Sequence, residues 1–478
     1  MSQYKFVEVE ARSGKSSKPN TSARSHAIRT GLRKSINSSR TKRTTRHRVS
    51  TEPGESSRKS DPYSELDNTI ENSIQPPAYR VESVCAGRVD PFNSLPIPTN
   101  LEIDHLVKYL ITKFDLHSTT INRNKSWLSY ALQSAPMMHS TIAMAAAAWR
   151  AESPVMNHSI QIEGIRQKGE AMRLIRARLA LVGSAVADEE FIFIMSTMST
   201  LVLVEALDGD FEAAETHLRG VYNLFSSRGG RDRFKDKYVF CKSTNLADIQ
   251  VAVALGRQLI FPRMYLDQAE LTASTIDNTQ PPLSDSISNG STYECVAIFT
   301  QLRQLLSARH SLEVSPEVKR APPDIVDELI LQYLYRDHAN DLSDSGRRSR
   351  ALVLAAHLFM SITLRHSSTR SPVVRRMCMR LQGTVGMAPA ARQIWAEDKT
   401  ALLWIAFVGL LGTGERVETC PAGQSFLHLF RSVLREYSKD STQDISNLRE
   451  ILSAFLWDES YCQPLLVWLE NRQLIGPK

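Results

Sequence analysis

The chain has 478 residues, 42% hydrophobic and 23% charged, which suits a soluble protein with one large core or two domains and excludes a low-complexity or largely membrane-embedded chain. Its net charge of +7 is concentrated at one end: residues 1–60 hold 15 Lys/Arg against 4 Asp/Glu, so the remainder is slightly acidic. The six cysteines, Cys85, Cys241, Cys295, Cys378, Cys420 and Cys462, lie more than three residues apart, which excludes paired-thiolate zinc spacing and fits a reducing intracellular compartment.

Residues 4–9 alternate apolar and charged side chains, as a short strand or a docking peptide would. From 12 to 83 the chain is rich in Ser, Thr, Arg, Lys and Pro, with few large apolar residues. Such a segment buries too little surface to offset its ordering entropy, so it is expected to be disordered. Within it Arg40, Lys42, Arg43, Arg46 and Arg48 form the densest basic cluster. The cluster reads as a nuclear import signal or a phosphate-contacting arm; the plainer alternative is a solvated linker. No Phe, Tyr or Trp lies between Arg12 and Lys59, which argues against base stacking on a single strand. Asp90-Pro91-Phe92, followed by Pro96 and Pro98, then fixes an extended approach to a folded body. The expected organisation is a disordered basic tail over 1–85 and an all-α body over 86–478, a single large helical domain.

Periodicity predicts a helix over 101–114, then two over 127–138 and 140–150, broken near Pro136. The next, 160–181, places Ile165, Met172, Ile175 and Leu179 on one side, with an arginine-rich face read as solvated more readily than as DNA-reading. Residues 231–245 read as a polar loop, 248–258 as a helix and 272–292 as a surface loop. Further helices are expected near 293–309, 323–337, 347–365, 390–411, 424–437 and 444–457, with a last short one carrying Leu465, Trp468 and Leu469. The longest apolar run, 401–411, falls short of the roughly 20 residues a membrane span takes and reads as a buried helix, so no membrane role is expected.

The stretch 188–230 organises the rest. Asp188, Glu189 and Glu190 favour the positive end of a helix dipole, and Phe191, Ile194, Met195, Met198, Leu201 and Val202 follow at helical spacing. Asp208-Gly209-Asp210 signals a turn, with Asp210 positioned to cap a second helix that Arg228-Gly229-Gly230 ends. The pattern Asp210, Ala214, His217, Leu218, Gly220, Leu224, Arg228, Gly229 and Gly230 resembles the fungal-specific transcription factor domain, as does an Asp-Pro-Phe-x-x-x-Pro-Ile element beginning at Asp90. The resemblance extends over roughly 90–470 and implies an all-helical regulatory region, commonly found C-terminal to a six-cysteine zinc cluster. It implies a nuclear transcription regulator whose partners are proteins of the transcription machinery or a DNA-binding partner. The closely spaced cysteines of that cluster are not in this sequence, so any direct DNA contact is expected to be weak, non-specific and made by the tail.

No Gly-x-x-x-x-Gly-Lys-Ser/Thr, His-Glu-x-x-His or Gly-x-Ser-x-Gly motif occurs, and the glycines at 409, 412 and 414 read as a helix end. His217, with Glu205 and Glu215 nearby in sequence, is imaginable as a general base but reads far better as a structural histidine. The expectation is therefore a non-enzyme without cofactor or metal. The alternatives are a helical adaptor outside transcription and a helical small-molecule-binding protein.

Overall fold

The computed structural model describes residues 94–115, 127–153, 155–181, 188–262, 264, 283–288, 291–310, 321–336, 343–386, 393–396, 398–440 and 445–472. The expected disordered tail, the strand at 4–9 and the basic cluster at 40–48 lie outside these residues. Among the described residues every regular element is helical, so the chain is all-α.

The first half is built on α1 (Leu101–Leu110), α2 (Trp127–Ala131), α3 (Ala135–Glu152), α4 (His158–Leu181), α5 (Asp188–Asp208), α6 (Phe211–Ser227), α7 (Arg231–Phe234) and α8 (Tyr238–Leu255). Helix α3 packs on α1, α4 and α5, and its run of small side chains, Ala143 and Ala145–Ala148, lets the neighbours approach closely. Gly164 of α4 sits so near that a Cβ built there would stand 2.5 Å from Ala146 Cβ. Among the described residues α5 alone is long and apolar enough to cross a membrane, but 78% of its apolar window is buried inside the protein. The helices α3, α4, α6 and α8 supply that cover, and apolar character around most of its girth is what a central helix requires.

The second half contains α9 (Asp285–Ser288), α10 (Tyr293–His310), α11 (Ala321–Tyr335), α12 (Asp344–Thr363), α13 (Pro372–Val385), α14 (Lys399–Thr413), α15 (Pro421–Asp440), α16 (Ile445–Ser453) and α17 (Glu459–Asn471). Its centre is α14, buried from Ala401 to Thr413 and contacted by α12, α13, α15, α16 and α17. Trp404 stacks on Phe455 with ring centroids 5.3 Å apart, and its indole N–H donates to the Leu456 carbonyl at 3.2 Å. The two cores meet along α8: Phe240, Ala247 and Val251 belong to the first, and Ala252, Val253 and Ala254 to the second. Arg380 of α13 donates to the carbonyls of Val253 (2.7 Å) and Ala254 (3.0 Å), placing a cation at the negative end of α8.

Several expectations are corrected. Residues 231–245 form α7 and the first half of α8, because Phe234 and Phe240 close on Phe225 at centroid distances of 5.8 and 6.3 Å. Burial of those rings overrides the polar composition around them. Pro136 lies in the first turn of α3, where its missing N–H is no loss, and the break falls at 132–134. The first helix ends at Leu110 and continues as a π-helical turn, Ile111–Asp115. Helix α13 was not expected; Ser371-Pro372 is its start signal. The expected 390–411 helix is a 3-10 turn, Gln393–Trp395, followed by α14, which Asp398 caps by accepting the Ala401 N–H at 3.2 Å. The short helix α9 occupies part of the expected 272–292 loop, and α17 starts at Glu459 with Pro464 inside it. Ile165 lies on the outside of α4, 65% exposed, while Ile160, Gly164, Gln167, Ala171 and Ile175 form the buried side.

Candidate functional site

The hairpin α5–α6 is held at both ends by backbone chemistry. Gly209 takes φ +86°, its N–H and that of Asp210 bond back to the carbonyls of Ala206 (3.2 Å) and Glu205 (3.0 Å), and the chain reverses. The Asp210 carboxylate accepts the Ala213 N–H at 3.0 Å, which caps α6. At the far end Gly230 N–H reaches Phe225 O (3.0 Å) and Gly229 N–H reaches Ser226 O (3.3 Å), with Gly229 at φ +100°. That pair of bonds closes a Schellman motif, which needs a left-handed residue at the position of Gly229.

Between the ends, Phe211, Ala214, Leu218, Val221 and Phe225 recur at 3- and 4-residue steps and are all buried. Leu224 is partly buried against the same core. A Cβ on Gly220 would lie 3.2 Å from the Met198 methyl, so the missing side chain lets α6 settle onto α5. Arg228 lays its guanidinium 4.4 Å from the centre of the Phe191 ring, tying the end of α6 to the start of α5. Each of these motif residues has a packing or backbone role.

His217 is the member of the motif that joins a charged group. Its Nε2 is 3.8 Å from Glu205 Oε1, while Glu205 Oε2 takes the Lys168 ammonium at 2.6 Å. Lys168 also approaches Asp208 at 3.5 Å, and Asp208 pairs with Arg150. The cluster thus joins α3, α4, α5 and α6, with the Glu205 side chain buried. Burial is the largest influence on His217 and lowers its titration from the ordinary histidine value, with Glu205 acting in the opposite direction. At 3.8 Å the imidazole makes no direct hydrogen bond to Glu205, whose other oxygen is held by Lys168. Glu215 points elsewhere, pairing with Arg219 (2.8 Å) and Arg257 (2.6 Å).

Beside His217 is a shallow, open depression of about 330 Å³ lined by Asp210, Glu212, Ala213 and Thr216. The only feature it shares with the charged cluster is His217. A second polar network that sequence reading did not single out lies in the other half: Asp327 accepts from His357 at 2.8 Å and pairs with Arg365, which also holds Asp324. Burial opposes the charge on Asp327, but Arg365 and His357 outweigh it and keep the carboxylate below its usual range. Neither Lys168 with Glu205 nor Asp327 with His357 has a local signal in the sequence, since 37 and 30 residues separate the partners.

The body is an all-helical domain whose central motif serves turns, caps and close packing. The family model described as the fungal specific transcription factor domain matches residues 103–455, and the chain belongs to that family of transcription regulators. No curated protein and no solved structure matches the chain.

Proposed function

We propose that this chain is a nuclear regulator of transcription acting through its helical body, with residues 1–85 as a basic arm and no zinc cluster of its own. The observation that supports this most is the family match over 103–455, which takes in most of both cores and the hairpin between Asp188 and Gly230. In this reading Arg40, Lys42, Arg43, Arg46 and Arg48 carry the import signal, since import receptors take up exposed cationic segments through acidic surfaces. Target selection then comes from a DNA-binding partner or from proteins of the transcription machinery. The reading gives the chain no catalytic role, cofactor or membrane association.

The test is localisation of the full chain with all five basic side chains replaced by Gln. The expected result is a folded protein left in the cytoplasm; unchanged nuclear accumulation would overturn the assignment of the cluster. Purified protein is expected to bind DNA weakly, without sequence preference and with a steep loss on adding salt, because only phosphate contacts are open to the arm. Salt-resistant selection of one sequence would contradict that mode.

A further inference from the structure

The outer face of α4 is unusual for a solvated helix. Ile162 is 53% exposed and Ile165 65% exposed, and Gly169 follows one turn later. A Cβ built on Gly169 meets nothing within 4 Å, so no contact inside the protein explains a glycine in mid-helix, where it costs stability relative to alanine. Arg166, Arg173 and Arg176 are exposed on the same turns. The face therefore offers two isoleucines, a gap with no side chain, and three guanidinium groups along about 21 Å of helix from 162 to 176, of which Arg166 and Arg173 also pair with Glu163 and Glu170 of the same helix, each at 2.6 Å.

The chain outside the described residues contains a segment of matching size and opposite charge. Residues 61–75 hold Asp61, Glu65, Asp67 and Glu71 and no Lys or Arg. Tyr63, Leu66, Ile70 and Ile74 fall within about 80° of one another when plotted at a helical 100° per residue, so the segment has one apolar stripe. Asp61-Pro62 is a start signal and Pro76-Pro77 a stop signal, spaced for a helix about 20 Å long were the segment to order on a surface. The described chain resumes at Ser94, and Asn100 at the head of α1 donates to Glu163 of α4 at 3.1 Å. The tether is thus fixed beside Ile162, and the 19 residues from Gln75 to Ser94 reach up to about 60 Å.

We propose that the acidic segment 61–75 docks in cis, as an amphipathic helix, on the Ile162, Ile165 and Gly169 face of α4. Leu66 and Ile70 cover the isoleucines, one of the larger side chains fills the gap over Gly169, and the carboxylates face Arg166, Arg173 and Arg176. A second copy of the α4 face is the poorer occupant, because it would bring arginines against arginines. The short tether gives the segment an effective concentration in the millimolar range, so a weak helix–face affinity is enough. The basic cluster at 40–48 ends 13 residues before Asp61, so docking also holds that cluster against the body. The docking does not depend on the nuclear reading and is tested without it.

The experiment replaces Ile165 by p-benzoylphenylalanine in the full chain, irradiates at low protein concentration, and maps adducts by mass spectrometry. The expected product is a monomer cross-linked to residues 61–75. Replacing Glu65, Asp67 and Glu71 by Lys should lower the yield about tenfold, the sum of three surface ion pairs, with the urea midpoint of the body unchanged. Adducts to 61–75 of a second copy, adducts elsewhere, no adduct, or a yield unchanged by the triple variant would each overturn the proposal.

Discussion

Gly164 and Gly169 lie on one helix, five residues apart, and alanine at the two positions should act in opposite directions. In each case the substitution removes glycine's excess backbone freedom, worth about 0.5–1 kcal/mol in a helix interior. At 169 nothing lies within 4 Å of the new methyl group, so the whole gain is realised. At 164 the new Cβ stands 2.5 Å from Ala146 Cβ, where carbon atoms in contact settle about 3.5–4.0 Å apart. The helices α3 and α4 must then separate by an ångström or more along a line of buried alanines, and overpacking of this kind costs about 1–3 kcal/mol. Gly164→Ala is expected to lose about 1 kcal/mol net, and Gly169→Ala to gain about 0.5–1. Urea unfolding followed by circular dichroism reads both, with midpoints moving in opposite directions at a common slope. If Gly164→Ala stabilises the protein as much as Gly169→Ala, the close α3–α4 approach is wrong, and so is the packing of the first core built on it.

Leu218→Asp should destabilise the body by several kcal/mol in a thermal melt, because it puts an unpaired charge into a fully buried site on α6, whereas Arg219→Ala next to it should change stability by less than about 0.5 kcal/mol. Equal melts for the two would contradict the assigned face. The histidines should take stability away as pH drops below about 6.5, their ordinary value, against Asp248, whose carboxyl burial raises to about 6 and which acts in the opposite direction. His139 and His217 both titrate lower than that when folded, so the unfolded chain binds more protons in this window. The groups around them, Gln167, Glu170, Arg166 and Arg173 for His139 and Glu205, Lys168, Arg176 and Asp210 for His217, leave burial as the largest influence. A His139→Gln, His217→Gln double variant should show a flatter urea midpoint between about pH 7.5 and 5.5; an unchanged slope would count against this origin.

The hairpin could be read from sequence because its signals are local. Acidic residues open α5, Asp210 caps α6, and the two glycines at 229 and 230 can hardly serve anything but a left-handed stop. The start of α8 was hidden because Phe234 and Phe240 stand among Lys, Arg and Asp, and their burial depends on Phe225 and Phe261, which only the fold brings near. Ile165 shows the opposite error. Its spacing from Met172 and Ile175 fits a buried stripe, but Gly164 takes the inside because α3 approaches where the side chain is absent, and Gln167 because its amide bonds His139 of α3 and Glu163. The ion pairs of Lys168 with Glu205 and of Asp327 with His357 have no period at all, since they are set by which helices pack together.

The same distinction bears on where regulation acts. In the family motif Asp210 caps, Gly229 turns, Gly220 admits Met198, and Ala214 and Leu218 are sealed inside, so a partner reaches Ala214 and Leu218 only by opening the hairpin. His217 and Asp210 line an open depression, and His217 also faces Glu205 behind it. Substituting a sealed residue would therefore change activity and stability together, whereas substituting Ile162 or Ile165 should change activity at constant melting temperature. On α4 the side chains that packing leaves uncovered are two isoleucines beside a glycine with empty space above it, which is why that face and not the sealed motif is where the docking proposed above is tested.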